Sequence, residues 1–257
     1  MRELILPMLV AGFVAASASL LGSFAILKRM ALVGDALSHV ALPGMAIALL
    51  LKINPFAGAI AFLGTAVIGV WAVEYKSSLS LETVVGVFFT ASLAVGALVM
   101  PEHELIEALF GNITALTPLE SVISIALSIF LIALLLVIYK KLTLSMVSTE
   151  MAQSIGIRNK RLDLIFLLGF ALSVALGIRF VGALLMGSLV IIPAASAKNT
   201  ARSLKSFMAQ SVVFGVAAAT AGIYFSSRYA LTPGPVFILI SVLIFITTLF
   251  VRRMRAV

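Results

Sequence analysis

Cysteine is absent from the 257 residues, which excludes disulfides, thiolate-held zinc, iron–sulfur clusters and cysteine nucleophiles. Any metal on this chain is held by oxygen or imidazole. Charge is scarce as well: only 11% of residues are Asp, Glu, Lys or Arg, too few to clothe the surface of a water-soluble domain. There is no Gly-Lys pair, hence no P-loop and no ATP hydrolysis on this chain, and neither His-Glu-x-x-His nor Gly-x-Ser-x-Gly occurs. An intramembrane hydrolase would lack a nucleophile.

What is present is apolar. Hydrophobic residues make up 62% of the chain and the mean hydropathy is +1.22, which points to an all-α, polytopic membrane protein. Runs able to cross a hydrocarbon core of about 30 Å, which takes roughly 20 helical residues, lie near 4–27, 31–51, 56–75, 83–100, 119–139, 162–178, 180–196, 207–226 and 234–251. Nine crossings are expected. The runs 162–178 and 180–196 are short and share Arg179, so a broken pair with eight crossings is the alternative. The whole chain, 1–257, reads as one transmembrane domain. Its first run is followed by the basic pair Lys28-Arg29, which suits a retained helix better than a cleaved leader.

With nine crossings and the N-terminus outside, only Arg2, Lys52, Arg179 and Arg228 of the 18 Lys and Arg residues face outward. The inner loops hold the rest, so the +8 charge is chiefly an orientation signal that puts the C-terminus in the cytoplasm, and not a nucleic-acid footprint.

Most acidic residues fall at helix ends or in loops; Asp35 lies inside a run, one turn before His39. Counted from Lys28-Arg29 at about 1.5 Å per residue, Asp35 would lie roughly 9 Å and His39 roughly 15 Å into the membrane. Residues four apart share a helix face, so a carboxylate oxygen and an imidazole nitrogen can meet one ion. That donor set suits zinc, manganese or iron. An Asp–His pair that merely holds two helices together is the plainer alternative. Pro43-Gly44 would loosen the helix just beyond the pair. Two ligands are too few for a closed zinc site, and a twofold dimer would supply four.

Two polar stretches remain. The outer one, Pro101 to Pro118, carries Glu102, His103 and Glu104, which could gather cations or dock a partner, or form a solvated loop. A turn is expected at Phe110-Gly111-Asn112 after a short helix. The inner one, Leu142 to Arg161, holds a short amphipathic helix capped by Ser148 or Thr149 and closed at Gly156, followed by a basic cluster. Alone it could lie on anionic lipid.

The run Lys28 to His39 with Leu42-Pro43-Gly44, together with Asn54-Pro55-Phe56, Leu109-Phe110-Gly111-Asn112-Ile113, Glu150-x-Ala152-x-x-x-Gly156 and Phe180 to Leu185 through Pro193-Ala194-Ala195, closely resembles the permease subunit of ABC-type zinc/manganese importers. The Gly-Asp-x-x-x-His-x-x-x-Pro-Gly element is the most specific piece. The resemblance implies the all-helical fold shared with vitamin B12 and siderophore permeases, usually with one more N-terminal helix than counted here. It implies a homodimer in a prokaryotic cell (inner) membrane, two cytoplasmic ATPase subunits and an extracytoplasmic metal-binding protein. Zn²⁺ or Mn²⁺ would be transported cargo, with no permanent cofactor and no enzymatic activity on this chain. By the same likeness Asp35 and His39 contact the metal, and 148–161 is the ATPase-coupling segment, with Ser148, Glu150, Ala152, Gly156 and Arg158 in it. A stand-alone metal channel or proton-coupled carrier using the same pair is the alternative.

Overall fold

A computed structural model describes residues 2–99, 109 and 117–255. Ten helices have described bounds: α1 (Arg2–Leu27), α2 (Val33–Leu50), α3 (Pro55–Lys76), α4 (Leu81–Val99), α5 (Pro118–Val147), α6 (Thr149–Ser154), α7 (Asn159–Val181), α8 (Met186–Thr200), α9 (Leu204–Tyr229) and α10 (Pro233–Arg255). Among the described residues there is no strand. All but α6 and α8 are long and apolar enough to cross a membrane, which gives eight candidate spans among the described residues.

Local chemistry sets the helix boundaries. Asn54 caps α3, its side chain accepting from Phe56 N at 2.8 Å, with Pro55 in the first turn. Thr117 and Glu120 form a reciprocal capping box at α5, satisfying donors that would otherwise be orphaned. The ends of α1, α2, α6 and α9 share one device. A left-handed residue, Arg29, Lys52, Gly156 or Ala230, follows the helix, and the next N–H reaches back to the fifth carbonyl before it: Met30 to Ala25, Ile53 to Ala48, Ile157 to Ala152, Leu231 to Ser226. This is the Schellman termination, which uses orphan carbonyls.

Two expectations change here. The helix carrying Asp35 starts at Val33, because Arg29 at φ 60 ends α1 and turns the chain. Asp35 is therefore in the first turn of α2, and a depth counted from residue 28 as continuous helix does not apply. Pro43-Gly44 does not break α2 either. The glycine serves a close crossing instead: a methyl on Gly44 would lie 2.5 Å from the carbonyl oxygen of Gly58 on α3.

The run 180–196 is not one helix. Gly182 at φ 81 ends α7, and helix resumes only at Met186. This is the broken pair that the two short runs allow as the alternative, with the break three residues beyond Arg179. The unwound segment 182–185 has a buried start, Gly182 and Ala183, and the N–H of Leu184 is taken by the carbonyl of Leu109 at 3.1 Å. Irregular backbone survives at membrane depth only when protein satisfies it in this way. The 15 residues of α8 rise about 22 Å at 1.5 Å per residue, so this helix starts inside the protein and not at its rim.

α1 runs through the centre, packed on α5, α7, α8 and α9. Small residues permit this: Gly22 sits against the Val190 carbonyl and Gly215 against Ser19, since lipid offers no hydrophobic drive and backbones must approach closely. α2 is held by α3, α4, α7 and α8, whereas α4 rests mainly on α2 and α3. Exposed Leu, Ile, Val and Phe side chains on α4, α5 and α10 form an outward apolar surface of the kind that faces lipid.

Polar contacts sort the helix ends into two bands. One gathers Lys28 after α1, Tyr75 near the end of α3 and Asp163 in the second turn of α7. The other gathers Asn54 before α3, Glu120 at the start of α5 and Arg179 near the end of α7. Gly234 at the start of α10 lies 2.9 Å, as a would-be methyl, from the Val181 carbonyl, and Asn199 at the end of α8 bonds Thr248 late in α10 at 3.2 Å. The path 182–200 thus runs from the second band to the first, parallel to α10.

Candidate functional site

Asp35 and His39 lie one turn apart on α2, both partly exposed, with Ser38 fully buried between them. Nδ1 of His39 is 3.0 Å from the backbone carbonyl of Asp35. A carbonyl only accepts, so Nδ1 carries the proton and donates it. The lone pair is then on Nε2, the nitrogen through which such a tautomer can accept a hydrogen bond or bind a metal. Phe89 of α4 meets this ring edge-on, with centroids 5.4 Å apart and planes at 89°. It walls one side of the imidazole with an apolar surface.

Two helix N-termini converge on Asp35. It belongs to the first turn of α2, and the first turn of α8 presses against it: a methyl on Gly187 would lie 2.8 Å from Asp35 Cβ and 3.0 Å from Oδ1. Both termini bring the partial positive end of a helix dipole near a carboxylate. Among the described residues the ion pairs are Lys28–Asp163 and Arg179–Glu120, so Asp35 is not tied to a fixed cation. A carboxylate and an imidazole nitrogen are thereby presented together at the break between α7 and α8. Half-helices that start at a binding site are a recurrent design in membrane carriers.

Among the described residues no cluster of three or more His, Cys, Asp or Glu forms. Glu102, His103 and Glu104, and the turn expected at Phe110-Gly111-Asn112, lie outside the described residues.

The inner segment is built largely as its sequence suggests. The Ser148 side chain accepts from Met151 N at 3.1 Å and caps α6. Ala152 is fully buried and anchors the helix, and Gly156 takes φ 82 to end it. Glu150 and Arg158 are exposed. So are two large apolar side chains, Met151 at 56% and Ile155 at 64%, which makes this short helix a sticky, outward knob.

Three features escaped the sequence reading: the hydrogen bond from Ser38 to Ala183, the seating of Gly187 on Asp35, and a network below the site. In that network Asp163 takes Lys28 Nζ at 2.5 Å on one oxygen and Tyr75 OH at 2.8 Å on the other. Trp71 Nε1 donates to the Lys160 carbonyl at 2.9 Å, and Asn159 Nδ2 to that of Thr149 at 3.3 Å. Nothing local in the sequence pairs Ser38 with Ala183 or Gly187 with Asp35.

Eight apolar spans, a broken helix inside them and an Asp–His pair beside the break suit a membrane transport protein. The comparisons with known proteins agree. A model of the ABC 3 transport family matches residues 1–252, and the chain belongs to that family. It is 31% identical over 260 residues to the high-affinity zinc uptake system membrane protein ZnuB of Haemophilus influenzae, covering 98% of this chain and 99% of that protein. It is 32% identical over 229 residues to the manganese transport system membrane protein MntC of Listeria monocytogenes, covering 88% and 82%. Among solved structures, PsaBC from Streptococcus pneumoniae in complex with Fab superposes with a TM-score of 0.85 at 27% identity, over 96% of this chain and 91% of that one. The expected all-helical permease fold is therefore the one observed.

Proposed function

We propose that this chain is the permease subunit of an ATP-driven importer of Zn²⁺ or Mn²⁺, with Asp35 and His39 as the ligands that hand the ion across. The observation that carries this is the placement of one carboxylate and one open imidazole nitrogen at the unwound junction of α7 and α8. The names of the zinc and manganese relatives support the cargo. Asp and His donors suit both ions, and iron, about equally.

A carrier must bind weakly enough to release, and two ligands from one chain meet that need. A second copy, related by a twofold axis, brings its own pair to a shared path, so four donors close on the ion transiently. Separate ATPase subunits dock on α6 through its exposed Met151, Glu150 and Ile155 and on 148–161 as a whole, and an extracytoplasmic binding protein delivers the metal. The N-terminus lies outside and the C-terminus in the cytoplasm, with the band of Lys28, Tyr75 and Asp163 inside. The family match favours this reading over a stand-alone channel or proton-coupled carrier.

The test is uptake of radioactive zinc and manganese into vesicles holding the permease and its copurified ATPase. Asp35→Ala and His39→Ala should each abolish ATP-dependent uptake while the complex still assembles. Normal uptake in both variants would sink the site, and uptake by the permease alone, without ATP, would favour the channel.

A further inference from the structure

We infer that Ser38 is a positioning residue for His39, and that its hydroxyl makes the setting of the imidazole depend on the unwound segment 182–185. This rests on the reading of His39 as a cargo ligand. Ser38 is 0% exposed. Its Oγ lies 2.6 Å from the carbonyl of Asp35, three residues back, and 2.6 Å from that of Ala183, 145 residues away. One hydroxyl proton serves one of these at a time.

Accounting for donors assigns it. The Asp35 carbonyl is inside α2, where it takes a helical N–H and also faces Nδ1–H of His39 at 3.0 Å. The Ala183 carbonyl lies in the break between α7 and α8, buried, and among the described residues no backbone N–H reaches it. A buried carbonyl left without a donor is costly, so the Ser38 proton goes to Ala183. The lone pairs of Ser38 then face His39, whose Nδ1 is 3.3 Å away.

A chain of hydrogen bonds results. Nδ1–H of His39 is shared between the Asp35 carbonyl and Ser38 Oγ, and the Ser38 hydroxyl donates to Ala183. Partners on the far nitrogen of a metal-binding histidine fix its tautomer and orientation. Here the far partner belongs to the segment that leads into the first turn of α8, whose Gly187 also seats Asp35. Movement of that one segment shifts both ligands together, so binding and release of the ion follow the α7–α8 junction.

The test uses the full permease–ATPase complex in nanodiscs with imidazole ¹⁵N-labelled histidine. The signal lost in His39→Ala identifies His39. In the parent, Nδ1 is expected to give the protonated, pyrrole-type shift and Nε2 the unprotonated one. Ser38→Ala is expected to leave the proton on Nδ1, still held by the Asp35 carbonyl, but to shift and broaden the Nδ1 signal as the ring loses its second partner. It is also expected to raise the KM for zinc and manganese uptake by about ten- to a hundredfold, with assembled complex recovered at parental yield. Ser38→Thr, which keeps the hydroxyl, should return both readouts toward the parent. A parental Nδ1 signal and KM in Ser38→Ala, with uptake still lost in His39→Ala, would overturn the inference alone. Uptake retained in His39→Ala would instead overturn the reading beneath it. Should Ser38→Ala fail to assemble, Ser38→Gly, which also lacks the hydroxyl, carries the same two readouts with the same meanings.

Discussion

Lys28 and Asp163 stand 135 residues apart in the chain and meet at 2.5 Å. Their side chains are only 16% and 24% exposed, so neither charge is fully repaid by water. Lys28→Ala or Asp163→Ala leaves a half-buried group unpaired, a loss on the order of 1–3 kcal/mol. The thermal midpoint of the purified protein should fall by roughly 2–4 °C per kcal/mol. The double variant should lose less than the two single losses together, because it strands no charge. Additive losses in a fluorescence melting series would show that the pair contributes little.

Gly187 should tolerate no side chain. A methyl there meets Asp35 at 2.8 and 3.0 Å, closer than carbon and oxygen atoms pack, so Gly187→Ala displaces the carboxylate. Metal uptake should drop at least tenfold with the fold intact. Gly86→Ala is the control, since nothing lies within 4 Å of its added methyl. Equal uptake in the two variants would remove Gly187 from the site.

Gly156 ends α6 with φ 82, a conformation that costs other L-residues roughly 1–2 kcal/mol. Gly156→Val should therefore redirect the chain after α6 without touching a membrane span. The expected outcome is an assembled permease–ATPase complex whose ATP hydrolysis no longer follows metal supply, and Glu150→Lys should act in the same direction by reversing an exposed charge. Metal-stimulated ATPase activity at the parental level in both would return 148–161 to the role of a lipid-surface segment.

Ala230 is an opportunity to stabilise the protein. It holds φ 53 at the end of α9, where glycine bears no such strain. Ala230→Gly should raise the thermal midpoint by a few degrees, for a gain of about 1 kcal/mol. A lower midpoint would mean that the added freedom of the unfolded chain outweighs the relieved strain.

Much of this architecture was legible in residue order, and the rest was not for identifiable reasons. Long apolar runs announce spans whatever their packing, and the four-residue spacing of Asp35 and His39 survives in α2. Asn54, Ser148 and Gly156 cap or end helices by local chemistry that a sequence displays directly. The break at 182–185 is apolar on both sides of Gly182, so composition cannot distinguish it from a crossing helix. Arg29 ends α1 in a conformation usually left to glycine, which is why the start of α2 was set too early. Ser38 with Ala183 and Gly187 with Asp35 are meetings across about 150 residues of chain, and nothing local encodes them.

The Phe89 ring that walls His39 is carried by α4, the span seated mainly on α2 and α3. Withdrawing that wall disturbs few neighbours, whereas α1 is clasped by four helices. Among the described helices the imidazole is thus covered by the crossing with few packed partners, while the carboxylate is seated by the first turn of α8. One side chain can be uncovered without unseating the other.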